Sequence, residues 1–195
     1  MKKLTEADMI KKLAMVLNEH RFTHTMGVAE TAVRLAEKWG ADEEKAKIAG
    51  LLHDCAKNIP SEDAIKYCRE NKVFLKDICF HEPSLIHAYL GAYLAKVEYE
   101  VEDSEILTAI YYHTTGCDDM SLLTKIIYVA DTMEPSRTQA GVEQLRVLAF
   151  EDLDAALIRS IDATVRHIIN KGGILDCDTI AARNSLIIKK KQIEP

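Results

Sequence analysis

Hydrophobic positions recur along this chain at intervals of three and four, in stretches separated by capping and breaking residues, and nowhere alternate long enough to predict a strand. Thr5 with Asp8 matches a capping box, and Met9, Leu13, Val16 and Leu17 predict a first helix to about Asn18. A second helix is expected from about Arg21 to Trp39, with Met26, Ala29, Val33 and Ala36 on one stripe and Gly40 as its stop. Asp42 then caps a third, whose residues Ala46 to Leu52 are almost wholly apolar and so predict burial on most sides. His53 and Asp54 close it.

Further along, Ser61 is expected to cap a more polar helix to about Asn71, and Pro83 to precede a helix carrying His87, Leu90, Gly91 and Leu94. Asp103 or Ser104 caps Glu105 to His113, and Ser121 caps Leu122 to Met133, which Pro135 ends. Val142 to Phe150, Asp154 to Lys171 and Thr179 to Lys191 complete the pattern. The fold class is therefore all-α. With no internal repeat and no Gly-, Pro- or Ser-rich linker, residues 1–195 are expected to form one helical bundle.

Composition narrows the function. The net charge of −6, from 25 Lys and Arg against 31 Asp and Glu, argues against a protein that holds nucleic acid along a basic face. Five cysteines without a C-x-x-C pair predict neither a disulfide framework nor a zinc ribbon, but small core residues in a reducing compartment. No apolar run is long enough for a signal peptide or a membrane span, so the expected location is the cytoplasm. A closed homodimer is the commonest assembly and is the expected one.

The chemistry sits in histidines and aspartates on apolar helices, where an unpartnered polar group costs about 1–3 kcal/mol. His24, His53, Asp54 and Asp131 form a nitrogen and oxygen set suited to a divalent metal; the alternative is a buried His–Asp hydrogen-bonded pair. His87 and His113 would hold a second ion that Asp54 bridges to the first, or else contact substrate around a single metal. Two ions about 3.5–4 Å apart suit phosphoryl displacement by an acidified water. Lys57, one turn past His53, and Arg137, past the Pro135 break, are candidate catalytic and phosphate-binding cations, with Asp54 as the shared carboxylate. Thr114 and Thr115 are candidate hydrogen-bond donors to substrate phosphate oxygens, or plain loop residues. His20 and His81 are expected at the surface, His167 and Cys55 in structural roles, and the Lys189–Lys191 run on a solvated helix end.

The order His24, His53-Asp54, His87, His113, Asp131 resembles the HD-domain metal phosphohydrolase superfamily. The segments Arg21-Phe-Thr-His-Thr-Met-Gly-Val-Ala-Glu-Thr-Ala, Leu51-Leu-His-Asp-Cys-Ala-Lys, His113-Thr-Thr-Gly, Lys125-Ile-Ile-Tyr-Val-Ala-Asp, Glu134-Pro-Ser-Arg and Ala182-Arg-Asn are similar to those of its bacterial YqeK-type members. That resemblance implies an HD fold with its metal-binding core at about 20–137 and C-terminal helices at about 142–191. It also implies a dinuclear centre, with iron as the expected metal and manganese, zinc or nickel as alternatives that the same ligands suit, and symmetrical hydrolysis of diadenosine tetraphosphate to two ADP. Thr179, Arg183 and Asn184 match the pattern too, and either close the nucleotide pocket or dock the last helix; Arg183 and Asn184 are carried as substrate-binding candidates. The G-Y-P segment of cyclic-dinucleotide hydrolases and the extensions of large HD triphosphohydrolases are missing. A broader nucleoside mono- or diphosphate phosphatase and a non-catalytic nucleotide sensor are the rival readings.

Overall fold

A computed structural model describes residues 4–193, which form α-helices and two short 3-10 turns, with no strand among the described residues. In chain order the helices are α1 (Glu6–Val16), α2 (Glu19–Trp39), α3 (Glu43–Leu52), α4 (Ser61–Glu70), α5 (Ile86–Val97), α6 (Ser104–Tyr112), α7 (Leu122–Met133), α8 (Val142–Glu151), α9 (Leu153–Asn170) and α10 (Cys177–Ile193). The 3-10 turns, Asp77–Phe80 and Pro83–Leu85, lie between α4 and α5.

Caps set most of these boundaries. The Thr5–Asp8 box closes the start of α1, Asp42 takes the Lys45 N–H at α3, Ser121 takes the Thr124 N–H at α7, and Gly40 ends α2 at φ 73°. Asn18 accepts from the Arg21 N–H, so it opens α2 at Glu19 instead of closing α1. Of the two candidates before α6, Asp103 is the cap. Ser61 is not a cap: Pro60 occupies that position, Ser61 is already helical, and no side-chain bond closes this end. Pro83 opens a tighter turn in which the Leu85 N–H bonds the Glu82 carbonyl at 3.1 Å, and the α-helix starts only at Ile86. α10 begins two residues before Thr179, because the Asp176 side chain and carbonyl accept from the N–H groups of Asp178 and Thr179.

α7 lies at the centre, with Ile126, Ile127, Tyr128, Val129 and Ala130 all buried, packed by α2, α6 and α9. An apolar run with no polar face needs such neighbours on every side. α2 and α3 pack backbone against backbone at Gly50, where a Cβ would lie 2.7 Å from the Ala29 Cα. A smaller apolar cluster of Ala64, Cys68, Cys79, Tyr89 and Leu90 sits under α4 and α5. Among the described residues no helix is long and apolar enough to cross a membrane.

Candidate metal centre

The six predicted ligands come from five helices, most of them at helix ends. His24 lies in the second turn of α2, His53 caps the end of α3 with Asp54 beyond it, and His87 is the second residue of α5. His113 caps the end of α6, and Asp131 lies in the last turn of α7. The four histidines and Asp54 are at most 6% exposed. Nε2 of His24 lies 3.1 Å from Asp131 Oδ1 and 3.3 Å from Nε2 of His53. Nε2 of His87 lies 3.1 Å from both Asp54 Oδ1 and Nε2 of His113. Donor atoms of His24, His53 and Asp131 all fall within 4.8 Å of one another, as do those of His53, Asp54 and His113.

Each imidazole is aimed by its other nitrogen. Nδ1 of His53, His87 and His113 faces the carbonyl three residues earlier, Gly50 at 2.7 Å, Ser84 at 2.6 Å and Ile110 at 2.7 Å. A carbonyl can only accept, so the hydrogen-bond network assigns the proton to Nδ1 and leaves a lone pair on Nε2 of each neutral ring. The lone pairs of His87 and His113 therefore face one another and Asp54 Oδ1, a buried oxygen with no hydrogen-bond partner. Such an arrangement is repulsive alone and attractive around a cation, and imidazole nitrogen with carboxylate oxygen is a donor set for a divalent metal. The residues present fit that group.

Protonation follows burial and the carboxylates. Burial pushes His53 and His87 down to about 4, so both rings are neutral at neutral pH. Burial also opposes charge on Asp54, but the surrounding imidazoles, His53 first, outweigh it and hold its carboxyl well below the usual range. At His24 burial lowers the pKa, and hydrogen bonds and charge from Asp131 and Glu134 more than offset it, so the ring is raised. Asp131 is depressed, its burial outweighed chiefly by the His24 hydrogen bond.

Two residues of the quoted segments had been given no role. Arg21 reaches Asp54 Oδ2 through Nη1 at 2.6 Å. Glu134, 1% exposed, accepts from His24 Nδ1 at 2.9 Å, in the space left where Gly27 lacks a Cβ. The signal for Glu134 is its place three residues past Asp131, capping a buried helix. The signal for Arg21 is i, i+3 from His24.

Arg137 borders a ligand carboxylate and Lys57 a ligand imidazole. Arg137 Nη2 is 2.6 Å from Asp131 Oδ1, and Lys57 Nζ is 3.2 Å from His87 Nε2. Burial lowers the Lys57 pKa, with Asp54 opposing. Thr114 and Thr115 line a cavity of about 410 Å³ together with Thr179 and His167. Arg183 is engaged by Asp162, and Asn184 is exposed. His20 and His81 are exposed, and Cys55 is buried against the Gly91 carbonyl.

Residues 21–136 match the HD domain family, a span that contains all six ligand candidates. The chain belongs to the HD-domain family. This HD protein is 43% identical over 175 residues, 90% of the chain and 93% of the relative, to a Halalkalibacterium halodurans protein named symmetrical bis(5′-nucleosyl)-tetraphosphatase. A Bacillus subtilis protein of the same name is 45% identical over 171 residues, 88% of this chain and 91% of that one. Among solved structures, an HD superfamily hydrolase from Clostridium acetobutylicum, described as involved in NAD metabolism, superposes with a TM-score of 0.93 at 45% identity, over 96% of this chain and 100% of the other.

Proposed function

We propose that this HD protein hydrolyses diadenosine tetraphosphate symmetrically, breaking the central phosphoric anhydride so that one water and one substrate give two ADP. The observation that carries the reading is the convergence of four imidazole Nε2 atoms and two carboxylates in a chain 43–45% identical to symmetrical tetraphosphatases. On this reading His24, His53, Asp54 and Asp131 hold one divalent ion, and Asp54, His87 and His113 hold a second. Iron is the expected metal, with manganese, zinc or nickel as alternatives of the same donor preference. Such ions supply charge stabilisation at phosphoryl oxygens and a water acid enough to react near neutral pH.

The protein's own side chains supply the rest. Arg137 and Arg21, paired with ligand carboxylates, and Lys57, beside His87, would bind the polyphosphate, offsetting charge on the oxygens of the departing ADP. Glu134 and the three carbonyl tethers hold the imidazoles in one tautomer and orientation. Thr114 and Thr115 lie on the cavity beyond His113, where the nucleoside end of the substrate would extend.

Product analysis tests the reading. Protein purified without oxygen, with its metals quantified, should convert diadenosine tetraphosphate to ADP alone, and His53→Ala or Asp54→Ala should abolish that conversion. AMP with ATP, or free phosphate from mononucleotides, would replace it with a different phosphohydrolase.

A further inference from the structure

Asp176 stands outside the metal centre and carries a carboxylate oxygen that the fold does not use. Its residue is 5% exposed. One oxygen, Oδ1, is explained by local structure: it accepts from the Asp178 N–H at 2.7 Å and lies 3.8 Å from Lys76 Nζ, as a residue at the start of α10 should. The other, Oδ2, is buried and has no hydrogen-bond partner. Thr114 Oγ1 is buried in the same way and is also unpartnered.

Both residues line the cavity of about 410 Å³, within the ~300–1,000 Å³ typical of small-molecule sites. The cavity adjoins the metal centre. Ser84, whose carbonyl orients His87, is on its wall, and Thr114 directly follows His113. Leu85, Ile168 and Ile174 supply apolar surface. Apolar side chains beside a buried, unpaired carboxylate oxygen and an unpaired hydroxyl suit a flat heterocycle that buries its faces and presents an N–H at its edge, with Thr115, Thr164, His167 and Lys171 among the polar remainder of the wall.

We propose that this cavity is a nucleobase subsite in which Asp176 Oδ2 accepts a hydrogen bond from an N–H on the base edge, so that the protein selects aminopurines over purines lacking such a donor. The proposal rests on the nucleotide-hydrolase reading, and adds to it what recognises the base. Adenine offers its 6-amino group, and guanine its N1–H and 2-amino group; unsubstituted purine offers C–H at positions 2 and 6 and a bare acceptor nitrogen at N1. Because Oδ1 is already taken, the carboxylate reads one donor.

The test compares ligands that differ only at the base edge. Calorimetric binding of ADP, GDP and purine riboside 5′-diphosphate to the metal-loaded full chain should favour the first two by roughly 10- to 100-fold, the worth of one hydrogen bond to a charged group. Asp176→Asn keeps an oxygen for the Asp178 N–H and turns the free oxygen into an N–H₂ group. It should remove the preference while leaving the melting temperature and metal content unchanged. Equal binding of all three by the unsubstituted protein would overturn the proposal, as would an equal loss for every ligand in Asp176→Asn. A loss confined to 2′,3′-dideoxy-ADP would put the carboxylate on the sugar and overturn it as well. Hydrolysis assays in parallel separate the two readings: ADP formed from diadenosine tetraphosphate without base discrimination sinks only the subsite. Discrimination in binding without hydrolysis sinks only the enzyme.

Discussion

Nδ1 of His24 donates to Oε1 of Glu134 across 2.9 Å, joining residues 110 positions apart in the chain. Glu134 follows α7, whose last turn carries Asp131, so one short segment supplies both a ligand candidate and the group that orients another. Its second oxygen accepts from the Ser136 N–H at 2.6 Å, which fixes the carboxylate before any ion binds. Glu134→Gln keeps the shape and loses the charge. Metal affinity should fall about 10–100-fold, the usual effect of removing such a support, with helical content unchanged. Competition with a chelator of known affinity reads the change, and unaltered affinity would make Glu134 a purely structural residue.

Gly50 tests how tightly α3 must lie on α2. A Cβ there would stand 2.7 Å from the Ala29 Cα and 3.1 Å from its nitrogen, and backbone cannot swing aside as a side-chain tip can. Overpacking costs about 1–3 kcal/mol, against a helix-propensity gain of roughly 1 kcal/mol for alanine. Gly50→Ala should therefore lower the melting temperature, at about 2–4 °C per kcal/mol for a chain of this size. The Gly50 carbonyl holds His53, so metal content should fall too. A higher melting temperature with full metal content would refute the close-approach argument.

Asp103 gives a pH-dependent case away from the centre. Its Oδ1 caps α6 through the N–H groups of Glu105 and Ile106, and its Oδ2 lies 2.9 Å from Lys45 Nζ. The Lys45 hydrogen bond, with burial opposing, holds this carboxyl below the usual carboxylate range. A depressed folded pKa gives stability that is present above the unfolded value, about 3.9, and is lost as pH falls through the folded one. Asp103→Ala should cost about 1 kcal/mol at pH 7, and its deficit relative to the parent should shrink below about pH 4. Denaturant titrations at both pH values check the sign.

The cysteines should separate by accessibility. Burial, then the charge of Asp54, pushes the Cys55 thiol up to about 12, and Cys68 and Cys79 are buried and raised as well. Cys177 is exposed. Iodoacetamide on the folded protein at pH 8 should alkylate Cys177 and leave Cys55, Cys68 and Cys79 unmodified until denaturant is added, as read by peptide mass spectrometry. Rapid native alkylation of Cys55 would contradict its placement against Gly91.

Much of this architecture was legible before any coordinates. Thr5, Asp42 and Ser121 mark helix starts because a short oxygen-bearing side chain competes for the first N–H groups, and that signal is local. Ser61 misled because Pro60 already held the extended cap position, and Asn18 was ambiguous because it lies between two helices. The ligand candidates were readable as polar residues on apolar helices. The supports were far less so: spacing sets Glu134 and Arg21 near Asp131 and His24, but nothing in the sequence ties Glu134 to His24, and Arg21 reads as an ordinary surface cation until α3 brings Asp54 beside it. The 410 Å³ cavity combines α9, α10 and the turns near Ser84 and Thr114, a juxtaposition that no spacing encodes.

The three carbonyl tethers tie each imidazole to the helical turn that carries it. An α-helix advances its side chains by about 100° per residue, so one residue gained or lost within α3 or α6 would carry His53 or His113 around to another azimuth, tether included. The element lengths are thereby metered: ten residues from Glu43 to Leu52 and nine from Ser104 to Tyr112 dial the rings inward.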